Sequence, residues 1–137
     1  MGPRSGCVLS TGRGASTDIQ QRAAVAANAA ASKKADDIVV LDVGDIIAIT
    51  DAFVIASGGN RRQVRTVVEE VERQLAERAG VKPVSVEGLD DASWVLLDYG
   101  DMVVHVFLDE TRAYYDLERL WSDAPRIAWE PEHRSVV

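Results

Sequence analysis

The 137-residue sequence predicts an α/β domain built on a mixed β-sheet. Helical and strand-like apolar periodicities follow one another in the order α-β-β-α-β-β-β-α. The strand candidates are short and rich in β-branched residues, and 47% of the chain is apolar, enough for one core.

Taken in order, residues 1–15 (MGPRSGCVLSTGRGA) carry Gly, Ser and Arg without periodicity and read as a disordered extension. Ser16 or Thr17 caps a helix whose text, DIQQRAAVAANAAASKK, is mostly Ala. Its apolar face is Ile19, Ala23, Ala26, Ala27 and Ala30, narrow enough to pack closely on a sheet. DIVVLDV (37–43) and AFVIAS (52–57) read as strands covered on both faces. The stretch between them, GDIIAITD, is too rich in Ile for a solvent loop and reads as strand or irregular connection. Asn60 caps the next helix with Gln63 in the second position of a capping box. Val64, Val67, Val68, Val71 and Leu75 form its buried face, and Gly80 and Pro83 end it. VSV (84–86) is a short strand, and WVLLD (94–98) with MVVHVF (102–107) form a hairpin. The last helix, DETRAYYDLERLW, starts at Asp109 or Thr111 and turns Tyr114, Leu117 and Trp121 to one side. The domain is expected over 16–122, followed by a tail over 123–137 that is extended or frayed.

Charge narrows the partners. A net charge of -7 argues against binding to a phosphate backbone and favours a basic protein. The single Cys7 excludes an internal disulfide and a multi-cysteine zinc site. No apolar run reaches the roughly 18 residues that span a bilayer, and no signal core is visible at the N-terminus. A cytoplasmic protein without a membrane association is expected.

The hairpin is the unusual segment. A two-residue turn at Tyr99-Gly100 pairs Asp98 with Asp101, Leu96 with Val103 and Trp94 with His105 on one face. A Tyr at positive φ is the weak point of that register. The opposite face, Val95, Leu97, Met102, Val104 and Val106, is wholly apolar and belongs under a helix. Residues 83–111 hold seven acidic side chains (Glu87, Asp90, Asp91, Asp98, Asp101, Asp109, Glu110) and no Lys or Arg, whereas 61–82 hold six basic and four acidic ones. Facing carboxylates need a neutraliser, either a metal or a partner's Lys or Arg. Against this stands the plain reading that turns and loops are where Asp collects, and that a lone strand histidine is structural.

Support for an enzyme is thin. The Ser57-Gly58-Gly59 turn before a helix is a conceivable phosphate cradle, but no G-x-x-x-x-G-K-[ST] or G-x-G-x-x-G occurs. No D-x-D occurs, and the pairs Glu70/Glu72 and Asp116/Glu118 fall on predicted helices. Nothing around Ser57 resembles a nucleophile elbow that would make a Ser57-His105 arrangement catalytic. No catalytic residue, metal or cofactor is assigned.

LDV (41–43), TDAFVIASG (50–58), VEG (86–88), WVLLDYGDMVVHVF (94–107) and YYDLERLW (114–121), in this order, resemble the ribosomal silencing factor family, also called Iojap-like or RsfS. The resemblance covers roughly 17–122. It implies a fold like a nucleotidyltransferase without the catalytic acids. It also implies a translational repressor, commonly a homodimer, that holds the large ribosomal subunit through ribosomal protein L-fourteen and obstructs the small subunit during starvation or stationary phase. No direct sequence-specific contact to nucleic acid is expected. Carried over by resemblance, Trp94, Leu96, Asp98, Tyr99, Asp101 and His105 match the family's W-x-L-x-D-Y-G-D-x-x-x-H text and are expected to bind the partner, with Glu87 of VEG beside them. The chain departs from the family at Ala52, where an aromatic is usual, and at Asn60 and Gln63, where Ser and His are usual, which removes support for a role of that turn. Two other readings stand beside this one: a nucleotide- or metal-dependent nucleotidyltransferase using Asp98, Asp101 and the Ser57-Gly59 turn, and a ribosome-assembly scaffold.

Overall fold

The structure, a computed structural model, describes residues 17–44, 50–115, 119 and 124–129. The extension read over 1–15, a cap at Ser16, the Ile-rich stretch 45–49, and Leu117 and Trp121 lie outside these residues.

The elements are α1 (Thr17–Ser32), β1 (Asp36–Asp42), β2 (Ala52–Gly58), α2 (Arg61–Gln74) running into one π-helical turn (Leu75–Ala79), β3 (Ser85–Glu87), β4 (Trp94–Asp98), β5 (Met102–Leu108) and α3 (Asp109–Tyr115). This is the order the periodicities predict. The five strands form one sheet in the order β1-β2-β5-β4-β3. All neighbours are antiparallel except β2 and β5, which run parallel at the centre, so the sheet is mixed.

Strand alternation divides the core in two. Val40, Ala52, Val54, Ala56, Val95, Leu97, Met102, Val104 and Val106 turn to one face and are buried under α1 and α2. There the alanines of α1 (Ala23, Ala26, Ala27, Ala30) and the valines of α2 (Val64, Val67, Val68, Val71) are fully or almost fully buried. Small side chains on α1 let its backbone approach the sheet, as expected of its narrow apolar stripe. The other face carries a second cluster: Val39, Leu41, Val43, Phe53, Ile55, Phe107 and Ala124, with Trp94 and Val103 packed against it.

The helix ends are tied to one another. Asn60 caps α2 by accepting the Gln63 N–H at 2.8 Å. The Gln63 amide oxygen reaches one residue further back than a capping box requires and accepts the Gly59 N–H at 2.7 Å. Its NH₂ donates to the carbonyls of Lys33 and Lys34 at the end of α1. Gly80, at φ +69, stops the helix as its position predicts. Residues 124–129 lie along the outer edge of β1: Asp42 N–H donates to Pro125 O, Ile127 N–H to Val40 O, and Leu41 bridges Arg126. The edge of β1 is therefore covered by the chain itself.

Candidate binding face

The hairpin connection is longer than a two-residue turn. The last strand pair is Asp98↔Val103, so Leu96 faces His105 and Trp94 faces Phe107. The predicted register is off by two residues, and the reason is conformational: only Gly100, at φ +88, takes the left-handed position, and Tyr99 is spared it. Asp98 shapes the turn by accepting the Gly100 N–H at 2.7 Å. Because the shift is even, every side chain of the two strands keeps its predicted face, and only Asp101, in the turn, leaves it.

The change of register separates Asp98 from Asp101. Asp101 is gripped in bidentate fashion by Arg22 of α1, at 3.0 and 2.8 Å. Arg22 also pairs with Asp18 at 3.1 Å. Bonding to Asp101 holds the guanidinium above its ordinary range despite its burial. The neutraliser that facing carboxylates called for is thus a cation of this chain, and the two carboxylates do not face each other. Asp98 pairs with no cation among the described residues. Tyr99 does not join the aromatic face either: it is buried with the helix-side core, where burial, with Glu72 nearby, pushes its hydroxyl up to about 12.

Trp94 and His105 form the centre of the face. The indole N–H donates to His105 Nδ1 at 3.1 Å. The imidazole meets Phe53 edge-on, ring centroids 4.7 Å apart, and Trp94 lies tilted on Phe107 at 4.9 Å. Burial holds His105 down at about 4, so it is neutral at neutral pH. Beside it opens a cavity of about 450 Å³ lined by Thr50, Phe53, Leu96, Asp98, Val103 and His105. Trp94 also walls a neighbouring depression with Arg61 and Tyr114, and Tyr114 is 81% exposed.

Of the residues expected from the sequence, Leu96, Asp98 and His105 line the cavity and Trp94 flanks it. Tyr99 and Asp101 turn toward the helices, and Glu87, exposed on β3, lies opposite Leu96. Thr50, Phe53, Gly100 and Val103 line the cavity as well, and no motif in the sequence marks them for such a role. Alternation along AFVIAS puts Phe53 and Ile55 together, but the parallel pairing Phe53↔Val103 is set by topology alone. In the 90–91 loop Arg61 and Arg65 donate to the main-chain carbonyls of Asp91 and Asp90, and Arg61 lies 3.8 Å from the Asp91 carboxylate in an exposed pair. The Ser57-Gly59 turn is similarly occupied: Ser57 Oγ accepts from Arg112 at 2.5 Å, and the Gly59 N–H is spent on Gln63. Its polar groups serve the fold, which disfavours a phosphate cradle.

The family model described as "Ribosomal silencing factor during starvation" matches residues 16–136. The chain belongs to the ribosomal silencing factor family. It is 45% identical over 101 residues to the ribosomal silencing factor of Bacillus subtilis, covering 74% of this chain and 85% of that one. With the Halalkalibacterium halodurans silencing factor it shares 41% over 111 residues, 81% of this chain and 94% of the relative. A crystal structure of a Chromobacterium violaceum protein superposes with a TM-score of 0.73 at 37% identity, covering 84% of this chain and 96% of that one. The resemblance carried by the motifs therefore holds, as does the α/β class. Ribosomal silencing factors are regulators of translation and not enzymes.

Proposed function

We propose that this protein represses translation by holding the large ribosomal subunit through the basic ribosomal protein L-fourteen and obstructing the small subunit, in starvation or stationary phase. The observation that carries this reading is the aromatic and aliphatic cavity rimmed by Asp98 on the sheet face opposite α1 and α2. An apolar anchor site beside a carboxylate that pairs with no cation among the described residues suits a basic protein surface. Trp94, Leu96, Asp98 and His105 make the contact, with Glu87 at its rim. Tyr99 and Asp101 hold the turn that presents Asp98. No bond is made or broken: a folded body, alone or as the homodimer the resemblance implies, occupies the docking path, and mass action favours separate subunits. The setting is the cytoplasm.

The test is to mix the purified protein with separated subunits at matched magnesium and salt, following joining by light scattering and retention by cosedimentation. Retention on the large subunit with suppressed joining is expected. Retention without suppressed joining would move the assembly-scaffold reading ahead, and no retention would end the silencing reading for this chain.

A further inference from the structure

Residues 1–16 carry two arginines, Arg4 and Arg13, and no Asp or Glu, in a chain whose net charge is -7. Between those arginines stands an apolar run, Cys7-Val8-Leu9. The family match begins at residue 16, so this basic segment stands ahead of the family's part of the chain.

Where the segment joins the fold is fixed by one guanidinium. Nη2 of Arg22 bonds Asp18, the second residue of α1, at 3.1 Å and Asp101, in the hairpin turn, at 2.8 Å. The chain therefore enters α1 beside that turn. Gly100, the neighbour of Asp101, lines the cavity together with Asp98, and it is exposed and carries no side chain to obstruct a segment crossing the turn. An extended chain gains about 3.4 Å per residue, so residues 9–16 span up to roughly 27 Å, well beyond the roughly 10 Å that separates packed layers.

The two sides also match in chemistry. The cavity, about 450 Å³, has apolar walls in Phe53, Leu96 and Val103, and at its rim stands Asp98, which pairs with no cation among the described residues. The segment offers an aliphatic pair, Val8-Leu9, four residues before Arg13. An apolar anchor beside a cation is what the site asks of a basic partner, and this chain supplies one itself.

We propose that residues 1–16 cross the hairpin turn and lay Val8 and Leu9 in the cavity with Arg13 against Asp98, so that the protein occupies its own binding site until the basic partner displaces the segment. A short tether holds the segment at an effective concentration of order millimolar, so little intrinsic affinity is needed to compete. The inference rests on the silencing reading, since the cavity is the site that the segment closes.

The full chain's single cysteine, Cys7, lies inside the segment, and a nitroxide there reports where the segment sits. On ¹⁵N-labelled protein, paramagnetic broadening of the Leu96, Asp98, Gly100 and Val103 amides is expected, lost with Leu9→Ser and reduced with Arg13→Gln. Without the nitroxide, the amide shifts that differ between the parent and Leu9→Ser should concentrate at the same residues, which guards against displacement of the segment by the label. Cosedimentation titration with purified large subunits is expected to show roughly tenfold tighter binding for Leu9→Ser, a substitution that leaves the net charge as it is. Broadening and shift differences confined to other surfaces would overturn the contact, and equal affinity of the two chains would overturn its inhibitory role. Broadening passed to nitroxide-free ¹⁵N chains mixed with labelled ones would give the cavity to a second copy's segment and overturn the intrachain contact. Should neither chain bind large subunits, the silencing reading fails while the spectra still decide the contact.

Discussion

The indole N–H of Trp94 donates to His105 Nδ1 across 3.1 Å, binding the first residue of β4 to the middle of β5 and committing the imidazole to its neutral form. Protonating the ring would turn that acceptor into a second donor facing the indole. Burial is what lowers its pKa, and the indole contact favours the same neutral form.

Acid sensitivity follows. His105 titrates at about 4 in the folded chain against an ordinary 6.5, so between these values the unfolded state binds a proton that the folded state refuses. Stability therefore falls as pH drops from 6.5 toward 4, by up to about 1.4 kcal/mol per pH unit. Urea unfolding at pH 7, 6 and 5 should show a steeper decline for the parent than for His105→Phe. Parallel declines would remove His105 as the source.

Gly88 of the VEG motif is required by close approach. It sits at φ +84, and a Cβ there would lie 2.1 Å from the carbonyl oxygen of Trp94. Gly88→Ala is expected to cost more than about 2 kcal/mol and to displace β4. Gly100→Ala, at a similar φ but with open space around the Cβ, should cost only about 1 kcal/mol. Denaturant midpoints of the two variants compare them directly, and equal losses would count against the steric argument.

The two aspartates of the turn should part company when mutated. Removing the Arg22 contact by Asp101→Asn is expected to lower stability by about 2 kcal/mol, since it deletes a bidentate charged pair whose cation is mostly buried. Asp98→Lys should cost less, about 1 kcal/mol for the exposed Gly100 N–H bond it gives up, yet slow association with large subunits. Stopped-flow association alongside urea unfolding separates the two effects. Faster association by Asp98→Lys would refute the electrostatic assignment.

Truncating the anchor should be costly for binding. Trp94→Ala is expected to weaken attachment to the large subunit by about 2 kcal/mol or more. Cosedimentation with a correctly folded variant measures it, and undiminished retention would exclude Trp94 as an anchor.

Local chemistry made much of this legible. Alanine content and spacing locate α1, the valine stripe locates α2, and alternation assigns the side chains of both hairpin strands to their faces. Alternation is blind to an even shift in register, so the pairing turns on Tyr99 avoiding positive φ, which lengthens the turn by two residues. Asp101 was misplaced for a different reason: its partner, Arg22, lies 79 residues away, and the contact depends on α1 crossing the sheet. The same limit hid the cavity, since nothing near His105 in the chain announces Thr50 or Phe53.

That distance has a consequence for the life of the chain. One wall of the cavity comes from Thr50 and Phe53, the other from Leu96, Asp98, Val103 and His105, joined through the parallel pairing of β2 with β5. A parallel pair needs its crossover formed before the strands can meet. A chain released early, or caught half-folded, owns no part of the recess that works alone. If attachment runs through this recess, as proposed above, competence to attach arrives only with completion of the sheet.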